Sequence, residues 1–119
     1  MKDFRRLKVW QEAHRLALKM YEATRRFPRE ELYGLTSQMR KSSSSVPMNI
    51  AEGCGRGGDL EFGRFLQIAT GSASELEYQL ILARDLTYLD RKEYEDLDRD
   101  TAEVKRVLAR LIGKLKADR

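Results

Sequence analysis

Residues 35–58 read LTSQMRKSSSSVPMNIAEGCGRGG. A basic pair, four consecutive serines, a proline, an Asn-Ile-Ala-Glu-Gly run and four glycines fall in this one stretch. The sequence on either side is amphipathic helix, so the fold turns on whether this segment is helix or loop. Leu32, Leu35, Met39, Val46 and Ile50 form an apolar stripe at helical spacing. Against that, serine competes for backbone hydrogen bonds and proline breaks helices, so propensity makes Ser42–Pro47 a loop. The alternative is a helix whose small side chains let a neighbour approach closely, bent at Pro47. The residues by themselves leave both readings open.

Downstream, Gly53-Cys-Gly-Arg-Gly-Gly58 reads as a turn, with Asp59 as N-cap of a third helix over 59–89. Phe62, Phe65, Leu66, Ala69, Ala73, Leu76, Leu80 and Ala83 mark its buried stripe. Ile68, Ile81, Leu82, Leu86 and Leu89 widen the apolar arc beyond one face. A helix so apolar is buried on more than one side, and in so short a chain the second side is a neighbouring subunit. Asp90-Arg-Lys-Glu93 resembles a capping box, with aspartate in place of Ser or Thr. Tyr94, Leu97, Thr101, Val104, Leu108, Leu111 and Leu115 then follow a coiled-coil-like seam, predicting a last helix over 91–116.

Upstream, Leu7, Trp10, Ala13, Ala17, Met20 and Tyr21 recur at helical spacing among charges. Phe27-Pro28 stops that first helix, because proline pushes the preceding residue out of the helical region. The expected span is 4–26. Pro28-Arg-Glu-Glu31 has the proline and carboxylates of a helical first turn, placing the second helix at 29–53. No segment alternates with a period of two. The expectation is an all-α, antiparallel up-and-down four-helix bundle, one domain over 1–119, about 30 Å long.

The totals agree. The chain has 119 residues, 41% hydrophobic and 35% charged, within the ordinary range for one domain. Its 23 basic and 19 acidic residues leave +4, a modest excess that favours anionic partners. One cysteine excludes an intrachain disulfide and a multi-cysteine zinc site, and fits a reducing compartment. The N-terminus lacks a signal-peptide core, and no run approaches the roughly 20 apolar residues of a membrane span. A soluble, cytoplasmic protein is expected.

Few residues carry recognisable chemistry. Gly53, Gly55 and Gly58 satisfy G-x-G-x-x-G, but a dinucleotide fingerprint needs a preceding strand, and here a helix precedes. A phosphate cradle from these backbone N–H groups, with Arg56 assisting, competes with a plain interhelical turn, and the turn is favoured. Asn49 and Glu52 share a helix face; the expected role is a buried polar network with Ser72 or Arg56 rather than catalysis or metal binding. Cys54 beside Arg56 raises the idea of an activated thiol with His14 as base, but no local motif supports it. Catalytic, cofactor and metal sites are therefore expected to be absent. Arg40, Lys41, Arg56 and Arg64 gather around the second helix and its exit turn as candidate phosphate contacts. Aromatic residues are few and mostly on core stripes, against base-stacking recognition.

Taken together, Leu7-x-Val9-Trp10-Gln11, Phe27-Pro28, Glu31-x-Tyr33-Gly34-Leu35, Gln38-x-Arg40-Lys41 and Asn49-Ile50-Ala51-Glu52-Gly53 with Arg56 form a combination. With Phe62-x-x-Phe65-Leu66-x-Ile68-Ala69-x-Gly71-Ser72 and Glu75-Leu76-x-Tyr78-Gln79-Leu80, it resembles the four-helix bundle family of bacterial 23S rRNA intervening sequences. That family is related to the accessory variability proteins of diversity-generating retroelements, and the resemblance covers nearly the whole chain. It implies that the serine-proline segment lies inside the second helix and that the protein is a ring-shaped homopentamer. It departs at Lys41 and Ser42-Ser43, where Arg and small apolar residues are more usual, and in the extra glycine around Cys54. Lysine lacks the planar fork that grips phosphate.

The expected function is non-enzymatic binding of structured nucleic acid, RNA or RNA–DNA, by phosphate contacts that do not read bases. The resemblance implies ribosomal RNA, a ribosome-associated protein or a reverse transcriptase as partners, and no membrane. The alternative is a protein–protein scaffold whose charge is incidental.

Overall fold

The computed structural model describes residues 2–118 and contains four helices, with no strand among the described residues. They are α1 (Lys8–Thr24), α2 (Leu35–Gly55), α3 (Asp59–Asp85) and α4 (Arg91–Ala117). Each packs on its sequence neighbour, and α1 also packs on α4, so the four surround one core. Lys19 of α1 pairs with Asp100 of α4, and Arg26, just past the end of α1, pairs with Glu93 of α4, while Lys105 meets Glu77 at 2.7 Å between α4 and α3. The long dimension is 46 Å, not the 30 Å expected, because α3 and α4 each run 27 residues.

The serine-proline segment is helical. Ser42 and Ser43 are 5% and 0% exposed, and Val46 and Pro47 are buried beside them. Side chains this small bring neighbouring backbones close, and the packing gained outweighs the propensity of the run. Gly53 shows how close. A Cβ there would lie 2.9 Å from Phe65 Cβ and 3.1 Å from the Phe62 ring. Gly53, Cys54 and Gly55 are therefore the last turn of α2, not the turn expected; the chain reverses over Arg56–Gly58, where Gly58 holds φ +87°. Gly58, not Asp59, is the N-cap of α3, and Asp59 is its first helical residue.

Three of the boundaries that differ from expectation do so for a local reason. Phe4–Arg6 is a separate 3₁₀ turn, capped by the Asp3 carboxylate accepting from the Arg5 N–H, and extended Leu7 divides it from α1. Arg29–Glu31 is likewise its own 3₁₀ turn. Glu31 Oε1 accepts from the Leu35 N–H at 3.1 Å and so caps α2. A Cβ on Gly34 would fall 2.9 Å from that oxygen. Glu31 Oε2 accepts from the Tyr88 hydroxyl at 2.9 Å, which ties the start of α2 to the α3–α4 connection. Finally, α3 stops at Asp85, short of 89. Tyr88 N–H bonds Ala83 O and Thr87 N–H bonds Arg84 O, the two bonds of a Schellman ending, with Thr87 at φ +66°.

The capping box at α4 forms as read: Asp90 accepts from Glu93 N–H at 2.8 Å, and Glu93 from Asp90 N–H at 3.2 Å. Leu97, Thr101, Val104 and Leu108 are the buried seam. In α1 the stripe lies further round than expected. Val9 and Leu16 join the core, whereas Trp10 is half-buried and Tyr21 is exposed.

Candidate nucleic-acid interface

The α2–α3 corner brings together cations from two helices. Arg56 follows the last turn of α2, and Arg64 sits one turn into α3. Both guanidinium groups lie over the Phe65 ring, at 5.0 and 4.8 Å from its centroid. Phe65 itself is buried by the close crossing at Gly53, so the crossing sets where the two arginines meet. Lys2 reaches the same corner, over the Phe62 ring at 4.8 Å and 3.7 Å from Asp59. Lys2 and Arg56 line a cavity of about 180 Å³ there, with Phe62 and the glycines Gly53, Gly57 and Gly58.

These cations are not bare. Arg56 donates to Glu52 Oε2 at 2.8 and 3.2 Å, and Arg64 donates to Glu61 at 3.1 and 3.4 Å. The Arg64 guanidinium holds the Glu61 carboxyl below the usual carboxylate range. Exposed pairs of this kind are worth little and exchange readily for another anion. The two ion pairs therefore do little to hold Arg56 and Arg64 to their carboxylates.

Arg40 and Lys41 lie elsewhere. Sixteen residues along α2 from Arg56 correspond to a rise of about 24 Å. Arg40 is a strap between α1 and α2: its Nε donates to Thr24 Oγ1 at 2.8 Å, Nη2 to Tyr21 O at 3.4 Å, and its guanidinium covers the Tyr21 ring. Lys41 is exposed. The four candidate cations thus form one pair at the α2–α3 corner and a separate pair near the start of α2.

The expected polar partners are present but split: Asn49 reaches Ser72 through Ser45, while Glu52 pairs with Arg56 at the surface. Asn49 Nδ2 donates to Ser45 O at 2.8 Å and lies 3.0 Å from Ser45 Oγ; Ser45 Oγ in turn lies 2.9 Å from Ser72 Oγ. Ser45 is the residue missed, hidden in a run of four serines. Glu52 is not in this network. It is exposed and spends its carboxylate on Arg56, because its place on α2 turns it outward. Cys54 is buried, and burial pushes its thiol pKa up, the opposite of an activated nucleophile. His14 stacks on Trp10 at 5.0 Å.

Among the described residues no group of three or more metal-ligating side chains occurs, and no helix is long and apolar enough to cross a membrane.

A family model described as 23S rRNA-intervening sequence protein matches residues 5–110. A solved structure, described as a protein with unknown function from the S23 ribosomal protein family of Bacteroides thetaiotaomicron, has a similar fold. Its TM-score is 0.82 at 25% sequence identity, covering 88% of this chain and 95% of that one. No curated protein matches the sequence.

Proposed function

The chain belongs to the 23S rRNA-intervening sequence protein family, and on that premise we propose that it binds structured nucleic acid, RNA or RNA–DNA, through phosphates and without catalysis. The bundle is antiparallel and up-and-down, as the pairs Arg26–Glu93 and Lys19–Asp100 support. It assembles as a ring-shaped homopentamer in the cytoplasm. The observation that carries this reading is the meeting of Arg56 and Arg64 over Phe65 at one corner of the bundle, beside Lys2 and the Gly57-Gly58 turn. A ring repeats that corner five times, and a subunit charge of +4 becomes roughly +20, a field that attracts a polyanion before contact. The buried thiol and the stacked His14 support binding over catalysis.

A scaffold for other proteins is the second reading, favoured by the carboxylates already paired with Arg56 and Arg64. Genomic position, within a 23S gene or beside a reverse transcriptase, separates a ribosomal setting from a retroelement one.

The deciding experiment measures binding of a labelled structured RNA across a salt series, for the wild type and for Arg56→Glu/Arg64→Glu. Log K should fall with log salt by about 0.9 per duplex phosphate neutralised, and more shallowly in the variant. Arg40 is left intact because it holds α1 to α2. No binding at low salt would move the assignment to the scaffold.

A further inference from the structure

Among the described residues, two of the apolar surfaces left without intrachain cover differ in shape. One is a groove between α1 and α2 of about 380 Å³, with Trp10, Leu18, Tyr21, Pro47 and Met48 on its walls. Leu18 and Met48 are 58% and 60% exposed. The other is a ridge, the outer face of α3, where Ile68 and Tyr78 are 41% and 62% exposed. Between them stands Gly71. Glycine weakens a helix interior, yet a Cβ at Gly71 would meet nothing within 4 Å. Packing inside the chain gives no reason for glycine there, as it gives none at Gly113; what sets Gly71 apart is its place on the uncovered ridge, where glycine leaves room for close approach from outside.

Resting on the ring reading above, we infer that the subunit contact is head-to-tail. The α3 ridge centred on Gly71 seats in the α1/α2 groove of the next copy, and Glu75 meets the next copy's Lys41. A ring requires two different surfaces on each subunit, and a groove with a ridge meets that requirement where two ridges would close a dimer.

Register supports the pairing. Ser45 touches Ser72, and Gly53 lies against Phe62 and Phe65, so residues of α2 and α3 that share a height in the bundle are known. On that scale Glu75 is level with Lys41 and Ser42, and Ile68 is level with Met48. Copies related by rotation about an axis along the bundle keep their heights. Each ridge residue then arrives at its own level of the neighbouring groove. Glu75 and Lys41 are both exposed, and neither has an ion-pair partner among the described residues. They are opposite charges at one height, one on the ridge and one on α2, a turn before Ser44 of the groove's wall. The same register leaves Arg56 and Arg64 toward the ring's end, outside the seated part of the ridge.

The test uses native mass spectrometry and light scattering on the full chain over a concentration series, with circular dichroism to follow the fold. Gly71→Leu should keep or improve helicity, since the space there is open, and should dissociate the assembly. Lys41→Glu and Glu75→Lys should each raise the assembly's dissociation constant tenfold or more. The double variant should return it to within a few-fold of the wild type. An assembled Gly71→Leu, or a double variant no better than the singles, would overturn the head-to-tail contact while leaving the ring standing. A wild type that stays monomeric at tens of micromolar would overturn the ring and this contact together. RNA binding is read separately, so its failure leaves this result untouched.

Discussion

Replacing Gly53 by alanine probes the contact that brings α2 and α3 together. The change adds one methyl group, and two effects oppose each other. Alanine in a helix interior gains about 0.8–1.0 kcal/mol over glycine. The new Cβ, however, would stand 2.9 Å from Phe65 Cβ, 3.1 Å from Phe62 Cδ1 and 3.4 Å from the Phe62 carbonyl oxygen. None of these atoms is the loose end of a flexible side chain. Relief requires α3 to move away from α2, and overpacking of this kind costs about 1–3 kcal/mol. Because the nearest atom is a Cβ fixed to its backbone, the cost belongs in the upper part of that range. The net expectation is a loss of about 1–2 kcal/mol, or a fall in melting temperature of about 4–8 °C for a domain of this size. Gly113→Ala is the control, since a Cβ there meets nothing within 4 Å; it should gain up to about 1 kcal/mol. Both are measured by thermal and urea denaturation at one fixed subunit concentration, because assembly makes stability depend on concentration. A Gly53→Ala protein as stable as the Gly113→Ala protein would refute the argument, by showing that α2 and α3 separate at no cost.

Two further outcomes follow from the α3–α4 connection. Thr87→Gly should raise stability by about 1 kcal/mol, because Thr87 holds φ +66°, where a side chain carries a penalty that glycine avoids; a lower urea midpoint would contradict this. The Tyr88 phenol is pushed up by its hydrogen bond to Glu31. Its folded pKa thus exceeds its unfolded one, so its contribution is whole below the ordinary tyrosine range near pH 10 and is lost as pH rises through the folded value. The difference in urea midpoint between wild type and Tyr88→Phe should therefore shrink above about pH 10; a constant difference would show that the bond does not survive in solution.

Much of this fold was legible because its signals are local. Asp90 and Glu93 lie three residues apart, and a capping box involves only the residues that form it. The seam of α4 and the buried stripe of α3 appear as periodicity, since burial on one side of a helix repeats every three to four residues. The wide apolar arc of α3 was also visible, and its outer residues Ile68, Ile81 and Leu86 are exposed in the chain. The candidate site was less legible. Arg40, Lys41, Arg56 and Arg64 are indistinguishable as charges, yet Arg40 is engaged by Thr24 and Tyr21, which a different helix supplies. Ser45 looks like its three serine neighbours until Ser72 is placed opposite it.

The sequence by itself determined the number of helices, the core faces of α3 and α4 and the start of α4, because each depends on residues within a turn or two of one another. The residues of Ser42–Pro47 left helix and loop both open; the tertiary structure makes the segment helical, as the resemblance implied, since its propensity is outweighed by neighbours distant in the chain. It also separated the glycines of one short run. Gly53 is there because Phe62 and Phe65 leave no room for a Cβ, and Gly58 because the chain turns with a positive φ. The residue type is the same in both places, and what differs is which part of the chain lies opposite.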